Sequence, residues 1–247
     1  MMKRVSVCLA TYNGASFIEE QIASILIQLG ANDEVIVSDD SSTDDTLKII
    51  KSFNDDRISI LPGQTFKSAV FNFEHALKHA KGEYIFLSDQ DDVWKLNKVD
   101  RILHELREAD LVVSNCDFID GNGRQIGVSY FDLYKAGPGV LKNFIKNSYL
   151  GNCMAFNRHV LQRILPFPKQ LEKTSKMLLF HDVWIGLIGN IFFKVKFLPE
   201  TLSSYRRHSG NASPTEINAT SPNGLIIKVR SRLLITTALV NRIVRRT

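Results

Sequence analysis

Three carboxylates follow an apolar run near the middle of the chain. Residues 84–87 read Tyr-Ile-Phe-Leu, and Asp89, Asp91 and Asp92 come directly afterwards with no basic residue among them. Carboxylates this close repel one another, so they need water or a cation. Oxygen-rich clusters suit Mg²⁺ or Mn²⁺, and open α/β sheets bind ligands outside the carboxyl ends of their strands. The pattern predicts a metal and phosphate site. The alternative is a solvated acidic turn that caps a helix beginning near Val93.

The order of apolar and polar segments predicts the fold that would position these carboxylates. Short apolar runs predict strands, and segments with a period of 3.6 residues predict helices, one of them with Ser16 and Glu19 as a capping box and Gly30 at its end. Strand and helix alternate with short connections, which favours a doubly wound parallel sheet. The predicted strands are 5–10, 34–37, 57–61, 84–87, 110–114, 151–156 and 192–198, and the predicted helices are 16–30, 46–53, 69–81, 95–109, 158–165, one from residue 180, and 225–246.

Composition narrows the class of protein. The chain has 247 residues, 44% of them hydrophobic and 23% charged, which is typical of a globular protein. Residues after 216 carry six basic and no acidic side chains, so the rest of the chain has a net charge of −1 although the whole has +5. This distribution argues against a nucleic-acid-binding body and for a surface-seeking terminus.

Cysteine usage and hydropathy predict the compartment. The three cysteines, Cys8, Cys116 and Cys153, fit neither a disulfide framework nor a metal-binding spacing. The first apolar run is too short for a signal peptide, and no run reaches the length of a membrane span. We therefore expect a cytoplasmic protein.

Four blocks of the sequence carry a resemblance to a known family. They are V-S-V-C-L-A-T-Y-N-G at 5–14, V-S-D-D-S-S-T-D-D-T at 37–46, F-L-S-D-Q-D-D-V-W at 86–94, and F-H-D-V-W-I at 180–185 with Y-R-R-H-S-G-N-A-S at 205–213. In this order they resemble the inverting nucleotide-sugar glycosyltransferases of family 2. The last two, with G-N-C-M-A-F-N-R at 151–158, resemble the bacterial rhamnosyltransferase-like branch.

The resemblance implies an α/β GT-A fold. This fold has a Rossmann-like, mostly parallel sheet flanked by helices, here with a helical C-terminal tail. Residues 1–110 would form the nucleotide-sugar-binding half and 111–216 the half that binds the acceptor and carries the catalytic base. Residues 217–247 would form a basic amphipathic helix, which either lies on a membrane surface or packs on the protein.

The first two blocks would hold the nucleotide. By resemblance, Thr11, Tyr12 and Asn13 lie beside the base and ribose, Asp39 accepts a hydrogen bond from a pyrimidine N–H, and Asp40 lies close by. The alternative is an Asx turn with Asp44 as the cap of the next helix. We expect both to hold, with Asp39 and Asp40 binding ligand and Asp44 and Asp45 serving structure.

The third block and the late basic block would hold the diphosphate and the metal. Asp89 would contact ribose. Asp91, Asp92 and His208 would ligate Mg²⁺ or Mn²⁺, with Asp91 as the first choice. Arg206 and Arg207, predicted to lie on a polar loop spanning 205–214, would bind the diphosphate. The alternative for this loop is a solvated basic surface.

Asp182 is the candidate general base. The family often has Glu-Asp at this helix start, whereas this chain has His181 before Asp182. Asp182 would remove the proton of an acceptor hydroxyl, although an ordinary aspartate pKa near ~3.9 is poorly matched to that task unless the site tunes it. The alternative is a helix cap without a catalytic role. His181 would orient the base or cap the helix.

These expectations describe a metal-dependent inverting glycosyltransferase of bacterial surface polysaccharide synthesis. The donor would be dTDP-rhamnose or a UDP-sugar, and the acceptor a glycan or a lipid-linked glycan. The protein would be cytoplasmic or peripheral on the cytoplasmic face of the membrane, and nucleic acid is not an expected partner. The alternatives are a nucleotidyltransferase and a non-catalytic protein that binds nucleotide sugars.

Overall fold

A mixed β-sheet lies at the centre of the computed structural model, which describes residues 4–171, 181–211 and 225–244. The strands follow the order β3-β2-β1-β4-β8-β6-β9-β5, and β7 pairs with β6. Their bounds are β1 Val5–Thr11, β2 Glu34–Asp39, β3 Ile58–Ile60, β4 Tyr84–Asp89, β5 Val93–Trp94, β6 Leu111–Ile119, β7 Gln125–Ile126, β8 Met154–Asn157 and β9 Val195–Arg206.

Helices connect the strands and cover the sheet. They are α1 Ile18–Leu26, α2 Thr46–Ser52, α3 Ala69–His79, α4 Lys98–Glu105, α5 Tyr130–Tyr134, α6 Val140–Ile145, α7 Arg158–Ile164, α8 His181–Phe192 and α9 Leu225–Val244. Two 3₁₀ turns occupy Gly151–Cys153 and Lys169–Leu171. Some sequence predictions lie outside the described residues. They concern residue 180, the part of the polar loop after residue 211, and the C-terminal tail outside α9.

The first half of the sheet is parallel, as predicted, and the second half is mixed. Strands β1 to β4 pair in parallel, whereas β8 runs antiparallel to both β4 and β6. Strand β9 returns to a parallel pairing with β6. The prediction of an α/β sheet flanked by helices is confirmed, and the antiparallel pairings are those of β5, β7 and β8.

Apolar layers lie on both faces of the sheet. In β4, Ile85 and Leu87 belong to one buried cluster, while Phe86 belongs to the other. Because successive side chains of a strand point to opposite faces, a strand covered on both sides must be apolar throughout. This explains why the sequence shows continuous apolar runs rather than alternation. The three cysteines are free and buried in the described structure.

The register of the parallel strands brings the predicted site residues to one edge. Thr11 lies opposite Asp39 across β1 and β2, and Ala10 lies opposite Asp89 across β1 and β4. All of these residues are at the carboxyl ends of their strands. The loops that follow therefore meet above the same edge of the sheet.

Several local predictions were wrong. Helix α1 begins at Ile18 after Phe17 without a side-chain cap, so the Ser16–Glu19 capping box does not form, and the helix ends at Leu26, before Gly30. Val93 lies in β5, where it pairs with β9, rather than at a helix start. Tertiary pairing outweighs local propensity here, because a two-residue strand has no pattern of its own.

Strand β9 extends further than its predicted end at residue 198. It continues to Arg206, so the first residues of the predicted polar loop lie in the sheet. Register shifts near Asn115 let β6 and β9 remain paired along this length. Arg206 is therefore held on a strand and not on a free loop.

The C-terminal helix α9 packs one face on the protein and exposes the other. Ile235, Ala238 and Leu239 are buried in the same cluster as the interior of α8. Arg242 donates through Nη1 to the carbonyl oxygen of Leu165 at 2.6 Å. Within the described part of the chain, no helix combines the length and apolarity needed to cross a bilayer.

Candidate active site

The loops above the carboxyl edge of the sheet enclose a cavity of about 660 Å³. Its wall brings together half of the residues that the sequence singled out, from both halves of the chain. These are Thr11, Tyr12, Asp40, Asp89, Asp91 and Asp182. The others do not line the cavity, and they are Asn13, Asp39, Asp92, Arg206, Arg207 and His208.

Asp39 lies behind the cavity wall, where it joins the first two loops. Its Oδ1 accepts hydrogen bonds from the Thr11 hydroxyl at 2.8 Å and the Ser42 hydroxyl at 2.6 Å. Its Oδ2 accepts from the Ser42 backbone N–H at 2.8 Å. Because protein donors occupy both oxygens, the carboxylate fixes the turn after β2. A contact to a pyrimidine N–H stays a prediction.

Asp40 holds the loop that leads into α3. Its Oδ1 accepts from the backbone N–H groups of Phe66 and Lys67 at 2.5 and 3.0 Å, and its Oδ2 from that of Ser68 at 3.0 Å. These groups precede the first helical residue, Ala69. The carboxylate thus supplies acceptors where backbone donors near a helix N-terminus would otherwise be unpaired. One aspartate both lines the cavity and shapes its rim.

Asn13 and Asp44 also serve structure. The Asn13 side chain accepts from the Thr43 N–H at 2.8 Å, and Asp44 accepts from the N–H groups of Ala15 and Thr46 at 3.0 Å. Thr46 is the first residue of α2. The expected structural role of Asp44 matches this geometry, whereas the expected nucleotide contact of Asn13 stays a prediction.

The Gln90 side chain links the loop after β4 to the loop after β1 by two hydrogen bonds to the Tyr12 backbone. Its Oε1 accepts from the Tyr12 N–H at 2.7 Å, and its Nε2 donates to the Tyr12 carbonyl oxygen at 2.9 Å. A Cβ on Gly14 would lie 2.3 Å from Oε1, so only glycine leaves room for this clamp. The Tyr12 side chain, 56% exposed, stands at the cavity rim. Sequence reasoning missed Gln90, and the nearby Gly14 was the available signal.

The three acidic residues after β4 have different surroundings. Burial, and then the charges of Asp91 and Asp182, raise the pKa of Asp89 to about 8. Asp91 accepts at Oδ2 across 2.9 Å from His208 Nε2, and Asn211 Nδ2 lies 3.3 Å from the same oxygen. Carboxyl groups are therefore close together in the cavity wall, and a bound cation would favour their charged forms.

Asp92 faces away from the cavity. It is fully buried, accepts from the Arg206 N–H at 2.9 Å and accepts from Asn152 Nδ2. Burial, and then the charges of Asp91 and Asp89, raise its pKa well above the ordinary value. Its oxygens tie β4 to β9 and to the Gly151–Cys153 turn. The predicted role of Asp92 as a metal ligand is not favoured by this arrangement.

Lys98 supports the same buried layer. Its Nζ donates to the Asn152 carbonyl oxygen at 2.8 Å and to the Ser203 hydroxyl at 2.6 Å, and lies 4.3 Å above the Trp94 ring. Burial lowers its pKa to about 8. The lysine fixes the backbone that presents Asn152 to Asp92. No pattern in the sequence distinguished it from an ordinary helical lysine.

Arg206 and Arg207 point into protein rather than into the cavity. Arg206 is 2% exposed, its Nε donates to the Asp91 carbonyl oxygen at 2.9 Å, and its Nη2 pairs with Glu20. The Arg207 guanidinium lies 5.0 Å above the Phe118 ring. Both arginines are held by protein contacts, which differs from the alternative prediction of a solvated basic surface. These contacts also disfavour a diphosphate contact by either arginine.

Asp182 lines the cavity from the first turn of α8. Its Oδ1 accepts from the Val183 N–H at 2.7 Å, and its Oδ2 from Asn147 Nδ2 at 3.2 Å. Burial raises its pKa to about 6. A carboxylate of this basicity removes a proton better than an ordinary aspartate. The tuning that sequence reasoning required is therefore present, and Asn147 is a positioning residue that it missed.

His181 neither orients Asp182 nor caps the helix through its ring. The donors to Asp182 come from Val183 and Asn147, and the imidazole instead packs at 4.1 Å from the Phe73 ring. Burial lowers its pKa to about 3, so it is neutral near pH 7. Both roles expected for His181 are absent from the described structure.

Asp91 and His208 are the residues best placed to hold a metal ion. Within the described ranges, no group of three or more His, Cys, Asp or Glu side chains has the geometry of a metal site. Mg²⁺ commonly takes only one or two protein ligands and completes its shell with phosphate oxygens and water. The Asp91–His208 pair fits such a shell, because His208 Nε2 and Asp91 Oδ2 lie 2.9 Å apart and could both contact one ion.

Comparison with known proteins agrees with this geometry. The sequence model described as "Glycosyl transferase family 2" matches residues 6–165. The chain belongs to that family. The family membership and GT-A fold expected from the four sequence blocks are thereby confirmed, and the protein is a glycosyltransferase.

Two relatives and one solved structure illustrate the range of this family. An Escherichia coli protein named UDP-Glc:alpha-D-GlcNAc-diphosphoundecaprenol beta-1,3-glucosyltransferase WfgD is 36% identical over 118 residues, 48% of this chain and 45% of its own length. The Shigella flexneri dTDP-rhamnosyl transferase RfbG is 36% identical over 148 residues, 53% of this chain and 51% of its own length.

The solved structure is that of S. aureus TarS 1-349 in complex with UDP-GlcNAc. It superimposes with a TM-score of 0.64 and 20% identity over 84% of this chain and 60% of that one. At this identity the similarity shows the fold. The chain therefore spans less than two thirds of TarS 1-349, and its matches cover about half of the two relatives.

Proposed function

We propose that this glycosyltransferase moves a sugar from a pyrimidine nucleoside-diphosphate donor to an acceptor hydroxyl with inversion at the anomeric carbon, in bacterial surface polysaccharide synthesis. One observation carries the proposal. A buried carboxylate with a pKa raised to about 6, that of Asp182, shares a single cavity with Asp91 and with the loops after β1 and β2. The proposed base and the proposed diphosphate site thus share one space.

The chain's own residues account for the proton transfer. Asp182 takes the proton of the acceptor hydroxyl as that oxygen bonds to the anomeric carbon. The bond from that carbon to the diphosphate breaks at the same time, and the nucleoside diphosphate leaves with the electron pair. Asn147 holds Oδ2 of Asp182 through a 3.2 Å hydrogen bond. The base is therefore oriented before the acceptor arrives.

The negative charge on the departing diphosphate requires compensation. We propose Asp91 and His208 as the holders of Mg²⁺ or Mn²⁺, which would neutralise that charge when bound. Asp92 is left out of this shell, because its oxygens are occupied by Arg206 and Asn152. Arg206 then acts by fixing the backbone of Asp91.

The names of relatives guide the choice of donor and acceptor. RfbG is named for dTDP-rhamnose chemistry and WfgD for UDP-glucose and a diphosphoundecaprenol-linked sugar. Both donors carry a pyrimidine. The proposed donor is therefore dTDP-rhamnose or a UDP-sugar, and the proposed acceptor is a lipid-linked glycan.

A lipid-linked acceptor fits the outer face of α9. Ile226, Val229, Leu233 and Val240 are exposed on this helix, with Ile226 at 84%. No acidic residue occurs after position 216, so the segment suits an anionic membrane surface. We expect the full chain to sediment with vesicles containing about a third anionic lipid. Leu233→Ser should weaken that binding severalfold, and binding unchanged by this substitution would contradict a membrane-facing α9.

The first experiment is a thermal-shift and product-release panel. UDP-glucose, UDP-GlcNAc, dTDP-rhamnose and dTDP-glucose are tested with Mn²⁺, with Mg²⁺ and with a chelator. A donor at 100 times its dissociation constant stabilises the fold by about 2.7 kcal/mol. Asp91→Asn should lose the metal-dependent part of the shift, whereas the exposed Asp100→Asn should keep it.

The products separate the competing functions. Release of nucleoside diphosphate with sugar on the acceptor supports transfer. Release of pyrophosphate would indicate a nucleotidyltransferase, and tight donor binding without turnover a binding protein. A shift that a chelator leaves unchanged would contradict the metal assignment while leaving the transfer proposal standing.

A further inference from the structure

The imidazole of His181 is a buried polar group next to Asp182. His181 is 6% exposed and forms part of the cavity wall beside Asp182. Neither Nδ1 nor Nε2 has a hydrogen-bond partner in the described part of the chain. Buried polar side chains are nearly always paired, because leaving one unpaired costs stability. A ring retained at this cost next to the catalytic base points to a partner that arrives with the substrate.

Packing, rather than hydrogen bonding, fixes the orientation of this ring. Its centroid lies 4.1 Å from that of Phe73 on one side. On another side, a Cβ built on Gly151 would approach Nε2 to 2.5 Å, so the imidazole fills the space that this glycine leaves open. The ring is thus held in place by packing. Neither nitrogen is paired within the described part of the chain.

The chemistry of the ring selects the kind of ligand. A neutral imidazole has one N–H donor and one acceptor nitrogen. A phosphate has only acceptor oxygens and binds cationic donors better. A sugar hydroxyl both donates and accepts, so it matches the ring. Burial lowers the pKa of His181 to about 3, which keeps the ring in its neutral form.

We propose that His181 is a specificity-determining residue that hydrogen-bonds one hydroxyl of the sugar bound beside Asp182. This inference rests on the proposed sugar transfer, and it assigns the residue where this chain has His in place of the Glu common in the family. The hydroxyl belongs either to the donor sugar or to the acceptor sugar. A site built to pair a hydroxyl rejects analogues that lack it, because its own polar group is then left unpaired.

The experiment pairs a substitution with the deletion of single hydroxyl groups. His181→Phe keeps a flat ring and removes both polar atoms. The donor arm uses whichever of UDP-glucose and dTDP-rhamnose the wild type turns over, with its monodeoxy analogues, and measures hydrolysis and transfer. The acceptor arm uses a synthetic GlcNAc-diphospholipid and its monodeoxy forms. His159→Phe, at an exposed position of α7, is the matched control.

In the wild type, removal of one particular hydroxyl should lower kcat/KM by about 10- to 100-fold, the effect of leaving one buried polar group unpaired. In His181→Phe the natural sugar should lose a similar factor, mainly in KM, and removal of that same hydroxyl should cost less than twofold more. Loss in the donor arm assigns the donor sugar, and loss confined to the acceptor arm assigns the acceptor. The affinity for UDP alone should not change. His181→Asn, which keeps a donor and an acceptor, should recover part of the loss.

Two results would overturn the assignment. One is a His181→Phe enzyme that still discriminates against every deoxy sugar as strongly as the wild type. The other is a fall in kcat alone with both KM values unchanged, which would mean that the ring only supports Asp182. If His181→Phe does not fold, the same comparison with His181→Asn decides. If the wild type turns over no donor, the proposed function fails rather than this assignment.

Discussion

Polar side chains at the end of β2 and at the start of α8 are paired to different extents. At the end of β2, Asp39 and Asp40 each accept three hydrogen bonds from the protein. At the start of α8, Asp182 accepts one hydrogen bond from the Val183 backbone N–H and one from the Asn147 side chain, and the His181 nitrogens have no partner in the described structure. A carboxylate that is fully paired stabilises the loops around it. A group left underpaired at a structural cost is available for substrate.

This contrast also separates the chemistry of similar residues. Aspartates accept from backbone N–H groups at both places, and burial raises the pKa of Asp182 to about 6. Its neighbours in α8, Val183 and Trp184, are buried apolar residues. Burial that is not offset by several donors raises a carboxyl pKa. Asp182 is thereby suited to accept a proton.

The largest expected effect is at Asp182. Asp182→Asn removes the basic oxygen and should lower kcat by about 10²- to 10⁴-fold, the usual contribution of a general base. The affinity for UDP should stay within twofold of the wild type, as measured by calorimetry. Asp100→Asn, at an exposed position of α4, should leave both values unchanged. A variant that keeps more than a tenth of the wild-type rate would mean that another group accepts the proton.

Replacing Asp40, whose carboxylate is fully paired, should lower the stability of the protein. Asp40→Ala leaves the N–H groups of Phe66, Lys67 and Ser68 without their acceptor, which should cost about 3 kcal/mol of unfolding free energy. For a chain of this size the melting temperature should fall by about 10 °C. Asp45→Ala, on the same loop with a side chain 70% exposed, should change it by less than 2 °C.

Asp40→Asn sharpens the test, because it keeps one carbonyl oxygen. Its melting temperature should fall by an amount between those of Asp40→Ala and Asp45→Ala. An Asp40→Ala protein as stable as the wild type would show that water replaces the carboxylate. The claim that the paired carboxylate of Asp40 stabilises the loop before α3 would then be wrong.

The sequence predicted the parts of the site that local patterns encode. Asp89 and Asp91 were identified because acidic residues after an apolar run stand out, and Asp182 was identified by resemblance to the family; the structure places all three in the cavity wall. Arg206 was assigned to a loop because the strand was predicted to end at residue 198, and pairing with β6 decided its position.

Long-range contacts were not readable in the same way. Gln90, Asn147 and Lys98 act on partners 78, 35 and 105 residues away in the chain. An amide or a lysine in a single sequence is typical of any surface, and its role depends on what the fold brings next to it. The same limit applies to Asp92, whose direction away from the cavity is set by Asn152 and Arg206.

The pH dependence of kcat/KM should reveal the raised pKa of Asp182. Because Asp182 must be deprotonated to accept a proton and its pKa is raised to about 6, kcat/KM should fall about tenfold per unit as the pH drops below 6. An untuned aspartate would keep the rate constant down to about pH 4. A rate profile recorded between pH 4.5 and 8 distinguishes the two, provided that UDP binding is measured across the same range.

The same group should affect stability with a defined sign. The folded-state pKa of Asp182 lies above the ordinary value of 3.8, so the folded protein binds more protons than the unfolded chain between these values. Its contribution to stability is therefore present at low pH and is lost as the pH rises from about 4 to about 6. Asp182→Asn should flatten this part of the stability curve, and a curve with the wild-type slope would assign it to other groups.

The smallest expected effect concerns Asn147, which moderates that tuning. Its Nδ2 donates to Asp182 Oδ2, and this hydrogen bond lowers the Asp182 pKa against the larger effect of burial. Asn147→Ala should therefore move the acidic limb of the rate profile to higher pH by a fraction of a unit, with little change in the rate at pH 8. Asn147→Asp would place a second carboxylate there and should move the limb further in the same direction. A shift to lower pH in either variant would contradict the hydrogen bond as the stabiliser of the charged base.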